Sequence, residues 1–179
     1  LFPSKNITLV RSEEKESYAS EALFSEVELS QEFSPQENYD GIAFYVGTYM
    51  KVFNEGKLKV QIEDSKDKVI YDKDIDMKTV VDSAASYLKF KAKKDEKYKL
   101  TIQLEDIKEE LPIVVYMTKE DKNPLLVKNG EEQEDSLDLD YFSYTKSYFN
   151  LWYIFLLGGL FYLYYLLNYS KEGGNHNEK

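Results

Sequence analysis

The chemistry open to this chain is that of carboxylates and phenols. It holds 33 Asp and Glu and 16 Tyr against a single His and no Cys. Without Cys there is no thiolate nucleophile, no disulfide and no cysteine-type zinc site. The one histidine, His176, follows Gly173-Gly174-Asn175 near the end of the chain, where nothing rigid would orient it as a base or a ligand. Neither a Cys-His nor a Ser-His-Asp arrangement can be built from this set. Arg11 is the sole arginine, which removes bidentate guanidinium clamps on phosphate. Gly158-Gly159 lies in an apolar run and lacks the Lys-Ser or Lys-Thr of a phosphate loop. With this many acids, pairs close in sequence carry no information about general acid and base work. Asp72, Asp74 and Asp76 alternate and could offer oxygens to Ca²⁺, but the EF-hand loop would need Gly and Glu where Met77 and Ser83 stand. No catalytic residue, metal ligand or cofactor is assigned, and the chain alone is expected not to be an enzyme.

Aromatic rings are the other resource. Phe44, Tyr45, Tyr49 and Phe53 crowd one short stretch, and exposed rings stack against the apolar faces of sugars. Tyr45 and Tyr49 share strand parity, opposite to Phe44 and Val46, which should point into a core. They are the candidate glycan-binding pair. Core packing and cross-strand pairing would explain the same residues, and the two readings stand side by side.

The elements that must position these groups fall into two chemically unlike parts. Residues 147–170 carry no charge, and Lys171, Glu172, Glu178 and Lys179 cancel, so the net charge of −10 belongs to residues 1–146. An acidic domain of this kind repels nucleic acid. The 24 uncharged residues, at 1.5 Å each, reach about 36 Å and predict a transmembrane helix over 147–170. Tyr148, Trp152 and Tyr153 mark one edge and Tyr164, Tyr165 and Tyr169 the other, as interfacial rings do. Gly158, Tyr162, Tyr165 and Tyr169 are spaced to share one face, suited to a partner helix or multi-spanning protein. Lys171 and Lys179 outnumber Lys146 at the flanks, which places the tail, 171–179, in the cytoplasm and the β domain outside it. Leu1-Phe2-Pro3 reads either as the end of a preceding membrane helix or as a start left by processing.

Residues 21–146 have the period of strands. Lys57 to Glu63 alternates polar and apolar residues without exception, as do Tyr87 to Ala92 and Tyr98 to Leu104. Further strands are predicted at Phe24–Phe33, Ile42–Tyr49, Val69–Tyr71, Ile113–Met117 and Leu137–Phe142, the last with Leu137, Leu139 and Tyr141 inward and Asp138 and Asp140 opposite. Turns are placed at Asp40-Gly41, Asn54 to Gly56, Asp64 to Asp67, Lys94 to Glu96 and Asn129-Gly130. About eight such strands make an all-β antiparallel sandwich. The acidic stretch 119–136 reads as an exposed loop; within the segment 1–20, the polar residues 11–20 read as a short helix or a loop.

Several of these stretches together resemble a known group. Gln31-Glu32-Phe33, Gly41 to Tyr49, Gly56 to Ile62, Val69-Ile70-Tyr71, Phe90, Tyr98 to Ile102 and Asn129-Gly130 are similar to the extracytoplasmic jelly-roll domains of bacterial membrane proteins of surface-polysaccharide assembly, both O-antigen-polymerase-like and multi-spanning glycosyltransferase-like. The similarity covers about residues 22–145 and the following helix. It implies a jelly-roll sandwich facing outward, with a glycan or lipid-linked sugar as ligand. It implies no activity, because those relatives span the membrane many times and carry catalytic residues without counterparts here. The sequence therefore predicts a single-pass, membrane-anchored accessory or recognition module for envelope glycans, with a structural or protein-interaction subunit as the alternative.

Overall fold

A computed structural model describes residues 4–10, 16–119, 124–147 and 149–173. Leu1-Phe2-Pro3, Arg11, Tyr148 and His176 lie outside the described residues. In chain order the strands are β1 (Ser4–Val10), β2 (Ser17–Ala19), β3 (Glu28–Phe33), β4 (Tyr39–Gly47), β5 (Lys57–Asp64), β6 (Val69–Asp76), β7 (Ala85–Ala92), β8 (Tyr98–Glu105), β9 (Val114–Thr118), β10 (Val127–Lys128), β11 (Glu131–Glu132), β12 (Ser136–Leu137) and β13 (Asp140–Ser147). A 3-10 turn over Met77–Thr79 and the helix α1 (Phe149–Gly173) complete the set. Two antiparallel sheets pack as a sandwich. One orders β1-β13-β4-β9-β12, with β7 on the other edge of β4 and β2 on β9; the second orders β11-β10-β3-β8-β5-β6.

Seven of the eight predicted strands form, and the alternation sets their faces; the eighth, Leu137–Phe142, is divided into β12 on β9 and β13 on β4. Leu58, Val60 and Ile62 pair in register with Leu104, Ile102 and Leu100, and all six are buried. Phe44 and Val46 point into the same core from β4. Near one end of the core Phe33 stacks on Tyr98 at 5.4 Å, and Tyr39 on Tyr141 at 4.7 Å. Gln31 crosses between the sheets: its Oε1 accepts the Leu137 amide at 2.5 Å. The outer face of β5, β6 and β8 is polar, with Lys57 and Lys59 both on Glu105 at 3.0 and 2.6 Å.

Four expectations need correction. Within the polar stretch 11–20, Ser17–Ala19 are neither helix nor loop but the strand β2, paired with β9. Asp40-Gly41 is not a turn; it lies inside β4, where the register with β7 shifts between Tyr39 and Gly41. The stretch 119–136 is not one open loop, since Val127–Lys128 and Glu131–Glu132 form a hairpin against β3. Its two-residue turn, Asn129-Gly130, has positive φ at both positions (50° and 85°), the geometry that matches strand twist. Asp138 and Asp140 do not face water: they are 0% and 1% exposed. The reason is the outer face of β4, where the small residues Gly41, Ala43 and Gly47 leave room for neighbours to lie over the sheet. Phe142 covers Gly41, Tyr87 meets Phe142 edge-on at 5.3 Å, and Tyr45 meets Tyr116 at 6.4 Å. Asp140 accepts the Tyr45 hydroxyl at 2.5 Å, and the Ser17 hydroxyl binds Asp138.

By contact density residues 8–143 form one compact unit, and the segments before and after them a second. In the second, the Thr145 hydroxyl reaches the Asn6 carbonyl at 3.4 Å and the Lys5 ammonium lies 5.6 Å from the Tyr144 ring centre. The helix α1 runs for 25 residues, and its described side chains, 153–169, are all exposed. Among the described residues no helix is long and apolar enough to cross a membrane.

A Cβ added at Gly41 (φ 154°) would stand 2.1 Å from the Leu88 carbonyl oxygen and 2.7 Å from the Phe142 ring. Gly41→Ala should therefore cost more than about 2 kcal/mol in urea melts followed by circular dichroism. Adding Phe142→Ala should not restore stability, since the carbonyl stays in place. Gly130→Ala, with nothing within 4 Å of its Cβ, should cost only about 1 kcal/mol.

Candidate binding cleft

The candidate glycan pair is not assembled as a pair. Tyr45 is half-buried on β4 with its hydroxyl given to Asp140. Tyr49 lies two residues past the end of β4, in a left-handed turn (φ 53°) with Met50 (φ 58°). Strand parity stops at Gly47, so it cannot carry from Tyr45 to Tyr49. The turn is held by Asp82, whose carboxylate accepts the Thr48 amide and, at 3.0 Å, the Thr48 hydroxyl. These bonds, the amide first, hold the Asp82 carboxyl below its ordinary range. They present Tyr49, Met50, Val52 and Val81 to solvent at 54, 89, 80 and 68% exposure.

Asp72, Asp74 and Asp76 occupy alternate positions of β6 and so share one face, with Lys57 at 3.5 Å from Asp74. Among the described residues no group of three or more Asp, Glu, His or Cys could hold a metal ion. On α1, Gly158, Tyr162, Tyr165 and Tyr169 keep their helical spacing; Tyr165 and Tyr169 stack at 5.9 Å, and added Cβ atoms at Gly158 and Gly159 would meet nothing within 4 Å.

The better-formed concavity lies where the two sheets part. On one side the segment 17–23 runs along β9, pairing Tyr18 with Met117 and bridging Leu23 to Ile113. On the other, the β10–β11 hairpin runs along β3, pairing Lys128 with Leu29. The chain then folds back: the Gln133 amide donates to Leu126 and the Leu126 amide to Asp135, at 2.8 and 3.0 Å. Between them opens a cleft of about 410 Å³, within the range of small-ligand sites. Its floor is Leu23, Leu29, Val115, Met117 and Leu126, all core residues. Its rim is polar and mostly acidic: Glu21, Glu132, Glu134, Asp135 and Gln133, with Lys128. A second depression, about 450 Å³ along Ser25–Glu28 and Gln103–Asp106, has only Val27 and Leu104 as apolar lining and offers a ligand less to bury against.

Two polar latches cross the parting. The Tyr18 hydroxyl donates to an Asp135 carboxylate oxygen, and the Lys128 ammonium binds Glu21. The Lys119 ammonium lies 5.9 Å from the Tyr18 ring centre. Burial first, then the bond and charge of Asp135 and the charge of Glu134, push the Tyr18 phenol up to about 12, so it stays a neutral donor. Sequence reasoning passed over this site because both walls sit in polar stretches. The legible signals were Leu125-Leu126-Val127, an apolar island in the acidic region, and Tyr18-Ala19 in the other. No protein-family model matches the chain, and no curated protein is detectably similar to it.

Tyr18 and Tyr141 both stand at about 12 in the fold against an ordinary 10.0, Tyr141 through burial and then Tyr39. A phenol raised in the folded state stabilises fully below its unfolded value and loses that contribution as pH rises through the folded one. The melting temperature should fall steeply between about pH 10 and 12. Tyr18→Phe should lower it at neutral pH, by loss of the Asp135 bond, yet flatten the alkaline fall. An unchanged alkaline slope in Tyr18→Phe would contradict the latch.

Proposed function

We propose that this chain is a membrane-anchored, non-catalytic recognition module whose β-sandwich is carried outside the cytoplasm by α1. The observation that carries the recognition role is the latched, apolar-floored cleft with its polar rim, a concave seat of the kind that takes a small ligand. Anchoring is supported by the 25-residue helix whose side chains over 153–169 are uncharged and exposed all round, a surface that water disfavours. The stripe of Gly158, Tyr162, Tyr165 and Tyr169 would then face a partner helix or a multi-spanning protein. The resemblance to polysaccharide-assembly domains supports a jelly-roll arrangement and an envelope glycan or lipid-linked sugar as what the complex handles. Within that reading Tyr49, the more exposed of the two candidate tyrosines, is the ring that could stack on a sugar, and Tyr45 positions Asp140.

A second reading, a protein-interaction subunit without sugar affinity, is favoured by one feature. Tyr49, Met50 and Val52 are exposed apolar side chains on the loop after β4, whose left-handed turn Asp82 holds, and Val81, next to Asp82 in sequence, is exposed as well. Conformations of that kind persist where the surroundings impose them, and apolar surface of that kind often meets a partner.

Membranes bearing the full chain should retain it after alkaline carbonate extraction; release into the supernatant would remove the anchor. On a glycan array, the detergent-solubilised chain should bind envelope-type glycans, and Tyr49→Ala should weaken that binding about tenfold or more. An array without signal, together with capture of one membrane protein that is lost on Met50→Asp, would select the second reading.

A further inference from the structure

We propose that the cleft between the parted sheets is a seat for a small organic cation, a primary ammonium on a hydrocarbon stem. The inference rests on reading the cleft as a binding seat and names the ligand class it would take. The floor is hydrocarbon: Leu23, Leu29, Val115, Met117 and Leu126 reach it from both sheets. An apolar stem placed there loses water on the floor side at no cost in polar groups. The rim has the opposite character: its described lining carries Glu21, Glu132, Glu134 and Asp135 against Lys128, with Lys119 beside it over Tyr18, and Lys128 is already bound to Glu21. A ligand carboxylate or phosphate would enter against this field, whereas an ammonium enters with it.

The protein's own side chains show the same preference. The Lys119 ammonium lies over the Tyr18 ring at 5.9 Å, and the Lys128 ammonium closes on the Glu21 carboxylate. Two lysine stems thus already bring ammonium groups to this rim, one over an aromatic face and one on a carboxylate, the two contacts by which proteins recognise amines. Glu132 and Glu134 flank the remaining mouth beside Gln133, where a ligand ammonium anchored over the floor would arrive. Tyr18 and Asp135 tie the opening together, so a bulky ligand would have to part this bond, and a slim one would not.

The chain has three methionines, Met50, Met77 and Met117, of which only Met117 lines the cleft. Methyl-labelled full-length protein in a neutral detergent, titrated with phenethylammonium, should show a saturating shift at the Met117 methyl while those of Met50 and Met77 stay still. Phenethyl alcohol should bind at least tenfold more weakly, and 3-phenylpropionate should give no saturable shift. The double variant Glu132→Gln with Glu134→Gln, its melting temperature checked against the parent, should weaken the ammonium at least fivefold, and added salt should act in the same direction. If the alcohol binds as tightly as the ammonium, the choice of a cation is wrong while the cleft remains a seat. If no probe moves Met117, the cleft is not a seat for ligands of this size and both readings fall.

Discussion

The packing of one glycine governs much of this sandwich. Gly41 sits in β4 with the Leu88 carbonyl and the Phe142 ring at distances that no Cβ could tolerate. Its absence of a side chain lets β7 close on one edge and Phe142 lie flat over the other face. Ala43 and Gly47 extend the same shallow track, so the sheet is covered on both faces along β4. Large residues at Ile42, Phe44 and Val46 fill the inter-sheet core, while small ones between them admit the rings of neighbouring strands. The ladder is thereby anchored at its centre, and β13, β9 and β7 take their places from it.

That covering also explains where the acids go. Most of the net charge of −10 is spread over solvated faces, where cross-strand lysines offset it, as on Glu105. Asp138 and Asp140 are different, because the face they occupy is closed. A buried carboxylate needs donors, and here the Ser17 hydroxyl donates to one oxygen of Asp138 and the Tyr45 hydroxyl to one of Asp140. Tyr45 thus belongs to the structure's polar interior as much as to its surface. The parting of the sheets at Tyr18 and the β10–β11 hairpin has the reverse character. There two short edges meet over core residues that line a cleft, and Tyr18 with Asp135 and Lys128 with Glu21 cross the gap.

The strands that alternate cleanly, Lys57 to Glu63 and Tyr98 to Leu104, were readable because one face is dry and the other wet, and composition follows solvent. Asn129-Gly130 was readable as a turn because few other residue pairs accept two left-handed conformations in succession. Asp40-Gly41 has the same local chemistry and is not a turn: the glycine is needed for close approach of Leu88 and Phe142, which lie far away in sequence. The cleft walls escaped notice for a related reason. Strands of two or three residues have too few positions to show a period, and they form because β3 and β9 offer them edges.

What the sequence determined by itself is the class of fold, the faces of the long strands, the division between an acidic β part and an uncharged helical part, and a supply of side chains rich in carboxylates and phenols with one His and no Cys. These follow from composition and period, which are local properties. Only the tertiary structure decided that Tyr45 and Tyr49 do not form one surface, that Asp138 and Asp140 are interior, and that Tyr18, Leu126 and Asp135 share a cleft. The first depends on Asp82 holding Thr48 from 34 positions away, and the other two on contacts 95 to 121 positions apart, which are set by the edges and faces that remain to be covered once the sheets have formed.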